Sequence, residues 1–260
     1  MSTILDKIIE NKRVEVEREK KETDVKELIS CLSERSSKGA FKNALESSST
    51  GIIAEFKRRS PSKGWIFENA RIEEVVPLYS QNGASAISIL TDSVFFGGTI
   101  EDLKKGRQLV KTPLLRKEFV IDEYQLYQAA VSEADAILLI ASALTVKETR
   151  LLAKKANELG LDVLLEIHNE KELDHLNEYA DVIGVNNRNL STFVTDVGVS
   201  FELAGKIPAE FTKISESGIS RSQTVKDLRQ AGYRGFLMGE NFMKTANPGK
   251  ALQLFIDELT

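Results

Sequence analysis

The sequence predicts one closed (β/α)8 barrel preceded by a helical extension, and three observations predict it. Eight short apolar runs rich in β-branched residues recur from residue 51 onward, their starts spaced 20–33 residues apart. Amphipathic segments of helical period occupy the gaps, and one more follows the last run, the alternation expected of parallel βαβ units. No Pro/Gly/Ser-rich linker divides the 260 residues, so one large domain is expected rather than two small ones joined by a hinge. Eight units with a closing helix fit a barrel better than an open parallel sheet of six or seven strands. No GxGxxG or Walker-type phosphate loop follows the first run to favour the open sheet.

Residues 1–50 are rich in Lys and Glu and read as helical extension. Ile4, Ile8, Ile9 and Val14 are placed to form an intermittent apolar stripe. The Lys/Glu run 11–28 is expected to be a solvated helix face, and Ser47–Thr50 closes the segment as a polar loop. The barrel is expected over 51–260. Its strand candidates are GIIAEFK (51–57), ASAISILTD (84–92), PLLRKEFV (113–120), ADAILLIAS (134–142), LDVLLEIH (161–168), DVIGVNN (181–187), TKISES (212–217) and GFLMGEN (235–241). Helices are expected in every gap, among them RIEEVVPLYSQ, IEDLKKGRQLV, DEYQLYQAAVSE, TVKETRLLAKKANELG and SQTVKDLRQAG, with PGKALQLFIDEL last. Thr145 followed by Glu148 reads as a capping box, and Gly160 as the stop of the same helix.

Composition excludes several function classes. Cys31 is the single cysteine, which leaves no intramolecular disulfide and no cysteine-built zinc site, and suits a reducing, cytoplasmic setting. No apolar run approaches the ~18–20 residues of a membrane span, and the N-terminus is too charged to supply the apolar centre of a signal peptide. A net charge of −4 gives no electrostatic reason to expect nucleic acid. Two histidines, His168 and His175, are too few for a metal cluster, so no metal is expected. His168 is expected at the surface or in support of the site, and His175 in a helix. No long exposed apolar segment argues for an assembly, and a chain acting as a monomer is expected.

Polar residues gather at the ends of the runs, where barrels of this kind carry their chemistry. Glu55 and Lys57 end the first run and share a face by strand alternation. Thr91 and Asp92 end the second; Arg116, Lys117 and Glu118 lie in the third. Glu166 and His168 end the fifth, Asn186, Asn187 and Arg188 the sixth, Ser215, Glu216 and Ser217 the seventh, and Glu240 and Asn241 the eighth. A charge in a buried strand costs several kcal/mol unless paired or used, so repetition at nearly every run suggests one shared polar chamber. Lys57, Lys117 and Glu166 stand out, because ammonium groups beside a carboxylate can exchange protons at a carbonyl. The Gly-containing turns SESGIS (215–220) and GENF (239–242) follow runs seven and eight, where such barrels bind phosphate. Lys57, Arg58, Lys63, Lys117 and Arg188 are expected around the same mouth. Trp65 and the pair Phe95 and Phe96 lie in loops that could hold a planar ring.

An ordered set of motifs now resembles a known family. IAEFKRRSPSKG (53–64), SILTDSVFFGG (88–98), PLLRKEFVIDEYQ (113–125), ADAILLI (134–140), LLEIH (164–168), IGVNNRNLSTF (183–193), ISESGI (214–219) and FLMGENFM (236–243) are similar to the indole-3-glycerol-phosphate synthases of tryptophan biosynthesis. The departures are small: Phe56 stands where the family often has isoleucine, Arg59 where it often has a small residue, and Glu118 where aspartate is commoner. The resemblance implies a lyase that needs no cofactor and acts on a small phosphorylated substrate. It closes the indole ring of 1-(2-carboxyphenylamino)-1-deoxyribulose 5-phosphate with loss of CO₂ and water. By the same resemblance Lys117 is the general acid, Glu166 the general base, and Lys57 the lysine at the substrate's anionic end. Glu55 orients the lysines, while Asn186 and Arg188 hold hydroxyls. Ser60, Ser217, Gly218, Gly239 and Glu240 form the phosphate grip, and Phe96, Phe119 and Met238 line the aromatic pocket. Two alternatives are a sister isomerase barrel, disfavoured by the long extension, and a barrel kept for binding alone, disfavoured by the intact strand-end lysines.

Overall fold

The computed structural model describes residues 3–33, 38–190 and 192–260. Ser191 of the sixth-run motif and residues 34–37 of the extension lie outside them. Among the described residues three helices precede the barrel: α1 (Ile4–Glu22), α2 (Val25–Ser30) and α3 (Ala40–Ser47). Thr3 opens α1 with a capping box in which its hydroxyl accepts from the Asp6 N–H and the Asp6 carboxylate accepts from the Thr3 N–H, satisfying orphan donors of the first turn.

The buried positions of α1 are Ile8, Lys12 and Val16, a four-residue repeat that keeps one face against the barrel. Val14 falls off that face and is 70% exposed, so the expected stripe is corrected by one turn geometry. The run 11–28 is not wholly solvated either: Lys12 is 1% exposed. A lysine so deep needs partners, and it has three carboxylates, described below.

Eight parallel strands close the barrel: β1 (Ile52–Phe56), β2 (Ala86–Leu90), β3 (Leu114–Lys117), β4 (Ala136–Ile140), β5 (Asp162–Ile167), β6 (Val182–Asn186), β7 (Thr212–Glu216) and β8 (Gly235–Met238). Closure is made by β1, which pairs with β2 through Ile53 opposite Ala86 and with β8 through Ile53 opposite Leu237. A short antiparallel ribbon, Arg59–Ser60 against Gly64–Trp65, follows β1. Among the described residues six of the seven connections and the final segment carry α-helices; between β5 and β6 there is only a 3-10 turn, Glu170–His175. Leu173 within it and Leu176 directly after it, three apart, pack on the core, which suits the three-residue repeat of that turn. His175 therefore sits in a 3-10 turn rather than in a longer helix.

Apolar packing separates into two layers. Ile53, Leu115, Leu138, Leu164, Val182, Ile214 and Leu237 fill the barrel interior together with Phe41 and Leu45 of α3, and a larger cluster lies between the strands and the surrounding helices. Helix α3 thus plugs the end where the strands begin. Its first turn is capped by Asp162, the first residue of β5, which accepts from the N–H groups of Gly39, Phe41 and Lys42.

Candidate active site

Strand alternation dictates what the other end of the barrel presents. Ile53, Leu115, Leu164 and Ile214 point inward on β1, β3, β5 and β7, so the residues two further on, Glu55, Lys117, Glu166 and Glu216, also point inward, one layer higher. Barrel interiors stack such layers from alternate strands, with bulky branched residues dominating. Here the top layer is ionic. It floors a cavity of about 370 Å³ whose lining includes all four residues, with Lys57, Asn186 and Arg188 at its sides.

Lys117 is the centre of this layer. Its ammonium donates to Glu216 Oε2 at 2.5 Å and to Glu166 Oε2 at 3.1 Å. Burial alone would lower its proton affinity, but the Glu216, Glu166 and Glu55 carboxylates outweigh it and hold the lysine above its ordinary range. The two carboxylates differ. Burial pushes Glu166 up, but Lys117, His168 and a hydrogen bond from Asn186 overcome it and hold Glu166 well below the usual carboxylate range. Glu216 is also buried, and next to it Lys117 is opposed by the like charges of Glu166 and Glu55, so its carboxyl is pushed up to about 7. Its Oε1 is buried without a hydrogen-bond partner. Gly184 on β6 makes room for that carboxylate, since a Cβ there would collide with Glu216 Oε1.

The remaining site residues take their places around this core. Lys57, just past β1, pairs with Glu55 Oε1. Asn186 Oδ1 accepts from the Arg188 N–H at 3.0 Å, turning its amide toward Glu166. Arg188 Nη1 donates to Ser62 Oγ at 2.8 Å, and its Nη2 lies 3.8 Å from Glu240. The Ser60 hydroxyl is buried without a partner and lines the cavity, as do Ser217, Gly218, Gly239 and Glu240 from the turns after β7 and β8. Ser217 and Gly218 have φ of 67° and 77°, two successive left-handed residues that fold the turn tightly over the mouth. Phe96 and Phe119, with ring centroids 5.9 Å apart, form an apolar wall, with Met238 and with Ile4, Leu5 and Ile8 of α1 also on the lining.

Two expectations are corrected. Arg58 does not face the mouth; its guanidinium is held by both oxygens of Asp102 and by the Ala70 and Gly97 carbonyls, which ties the loop after β1 to the helix Ile100–Leu109. Trp65 is 49% exposed, outside the cavity lining, with the Arg59 guanidinium stacked on it. His168 is buried in support of the site, 3.2 Å from Glu166 Oε1.

Sequence reasoning noted Glu216 at a run end but did not place it among the site residues. The signal was present: it follows the inward-facing Ile214 by two, as Glu55 follows Ile53.

An ionic top layer in a closed barrel, bounded by an aromatic wall and Gly-containing turns, defines a (β/α)8-barrel enzyme of the acid–base type. Solved structures that the chain resembles share this fold. They include a tryptophan synthase complex from Pyrococcus furiosus (16% identity, TM-score 0.60, covering 81% of this chain and 97% of that one) and KGPDC from Streptococcus mutans (14%, 0.61, 80% and 96%). Residues 5–255 match the family model for indole-3-glycerol phosphate synthase. Relatives of that name from Bacteroides thetaiotaomicron and Prochlorococcus marinus strain MIT 9515 are 56% and 43% identical, over 98% and 93% of this chain and 98% and 85% of theirs. The chain belongs to the indole-3-glycerol phosphate synthase family. It is a carbon-carbon lyase of tryptophan biosynthesis, closing an indole ring with loss of CO₂ and water.

Proposed function

We propose that Lys117 is the general acid of ring closure and that Glu166, one of the two carboxylates gripping it, is the base of the later dehydration. The observation that carries this reading is the buried ammonium shared by Glu166 and Glu216 on the cavity floor. As the aromatic carbon attacks the C2′ carbonyl of 1-(2-carboxyphenylamino)-1-deoxyribulose 5-phosphate, the carbonyl oxygen gains negative charge and Lys117 gives it a proton. Loss of the carboxylate as CO₂ restores the aromatic ring. Dehydration then removes the new hydroxyl as water: Lys57 protonates it, while Glu166 takes the proton from the ring side as base, with Glu55 orienting the lysines.

Binding follows the same geometry. Asn186 and Arg188 hold substrate hydroxyls, and Phe96, Phe119 and Met238 take the anthranilate ring. Ser60, Ser217 and the backbone at Gly218, Gly239 and Glu240 receive the phosphate, where backbone N–H groups suit an anion. The cavity of about 370 Å³ suits a small phosphorylated substrate, and the enzyme is read as a monomer. The free, exposed Cys31 suits the reducing cytoplasm, and among the described residues no helix is long and apolar enough to cross a membrane.

The test is indole fluorescence during turnover of the carboxyphenylamino substrate by purified protein. Lys117→Met and Glu166→Gln should each lower kcat by about 10²–10⁴, the usual size of a lost acid or base. Near-normal kcat in both would return the pair to a structural role.

A further inference from the structure

We propose that His168 is a positioning residue for Glu166: its ring bridges the Glu166 and Glu172 carboxylates and holds Glu166 in place while Lys117 gives up its proton. The geometry is a clamp with one cation per oxygen. Lys117 Nζ lies 3.1 Å from Glu166 Oε2, and His168 Nε2 lies 3.2 Å from Oε1. On the other side of the ring, Nδ1 lies 3.2 Å from Glu172 Oε2.

Glu172 is itself fixed, accepting from the His168 backbone N–H at 2.8 Å and from Asn169 Nδ2 at 2.8 Å. The charged groups around the imidazole are therefore Glu166 from the end of β5 and Glu172 from the 3-10 turn, with Lys117 and Glu216 beyond Glu166. Burial disfavours a charged ring, yet the two carboxylates reverse that and push His168 up to about 10.

The need for a second cation follows from the chemistry. When Lys117 protonates the substrate oxygen it becomes neutral, and Glu166 loses half of its pairing at the moment before it must act as a base. His168 is not in the path of that proton and keeps the carboxylate ionised and oriented. Among the described residues Glu216 forms an ion pair with Lys117, whereas Glu166 forms one with Lys117 and another with His168, so the two carboxylates around one lysine are not equivalent. The inference rests on Glu166 being the base.

With only two histidines in the chain, ring-¹⁵N histidine labelling resolves the matter directly. His168 should hold both ring protons at pH 8 while His175 is neutral, and Glu172→Gln or Glu166→Gln should each bring the His168 titration down. His168→Gln should lower kcat by about tenfold, the scale of a slightly misplaced catalytic group, with KM within about twofold. In a Glu166→Gln background the same substitution should cost nothing further, as expected for groups acting as one unit.

A His168 that titrates in the ordinary range, or a His168→Gln enzyme with normal kcat beside an inactive Glu166→Gln, overturns the inference. Normal kcat in Glu166→Gln itself marks failure of the base assignment instead, and the positioning role falls with it. Glu172→Gln leaves the imidazole in place, so it keeps the test open if His168 variants do not fold.

Discussion

Lys12 Nζ lies 3.0 Å from Glu118 Oε1, joining the first helix of the chain to the residue directly after Lys117. The same ammonium lies 3.1 Å from Asp92 and 3.0 Å from Glu15. Asp92 caps the short helix Ser93–Phe96 by accepting from the Phe95 N–H at 2.7 Å, and Glu118 accepts from the Phe119 N–H at 2.8 Å and the Thr91 hydroxyl at 2.7 Å. One buried charge thus braces both loops that carry the aromatic wall.

Removing that charge leaves three carboxylates facing each other, two of them buried. Breaking a buried pair from one side costs about 3–5 kcal/mol, so Lys12→Met should lower stability by about that amount in urea denaturation at pH 7. The loss should shrink in acid. Lys12 and Arg116 hold Glu118 below its ordinary range against the opposing effect of burial, so its contribution is present above the unfolded carboxylate value and fades as pH falls below it. A Lys12→Met protein as stable as the parent at pH 7 would show that the carboxylates find other partners.

Glu216→Gln should stabilise the enzyme in a pH-dependent way. The folded protein takes up the Glu216 proton near 7 and the unfolded chain only near 4.5. A raised value contributes stability that is full below the unfolded value and is lost as pH rises through the folded one. Glutamine carries no such loss. The Tm of the variant should match the parent at pH 4.5 and exceed it at pH 8, while kcat falls. A constant Tm difference across that range would mean that Glu216 titrates like an ordinary surface carboxylate.

Periodicity made the barrel legible because all eight strands are buried on both faces and read as apolar runs bounded by polar turns. The same alternation made Glu55, Lys117 and Glu166 legible, each an ionisable residue closing such a run. Three features were not. Lys12 sits in a charged stretch whose pattern is that of a solvated face, and only its distant partners Asp92 and Glu118 explain its burial. Arg58 looks like part of a basic mouth, but the acceptor that turns it away, Asp102, lies one βα unit later. Leu173 and Leu176, in and directly after the turn 170–175, have a spacing that serves a longer helix as well as a 3-10 turn, and His175 at its end is held by Thr149 of the preceding helix. In each case the deciding contact is remote in sequence.

Asp162→Ala should loosen the barrel plug without touching the mouth. The carboxylate accepts from three N–H groups in the first turn of α3, and loss of a helix cap costs about 0.5–2 kcal/mol. Because Phe41 and Leu45 then fill the interior from a less anchored helix, hydrogen exchange at α3 should accelerate while KM and kcat at low temperature stay near the parent values. Asp162→Asn, which keeps one acceptor oxygen, should lose less. Equal exchange rates at α3 in parent and Ala variant would show that Phe41 and Leu45 anchor the helix without the cap.

Ser217→Glu tests the phosphate turn. Residue 217 lies on the cavity lining beside Gly218, in a left-handed backbone conformation. In the proposed binding mode a carboxylate placed there would face the substrate phosphate, and like charges brought together on binding cost on the order of several kcal/mol. KM should therefore rise by about two orders of magnitude or more, and competition by added inorganic phosphate should be weaker than in the parent. Turnover at saturation should change far less, since the acid and bases are untouched. If KM and phosphate inhibition both keep their parent values, the phosphate sits elsewhere on the rim.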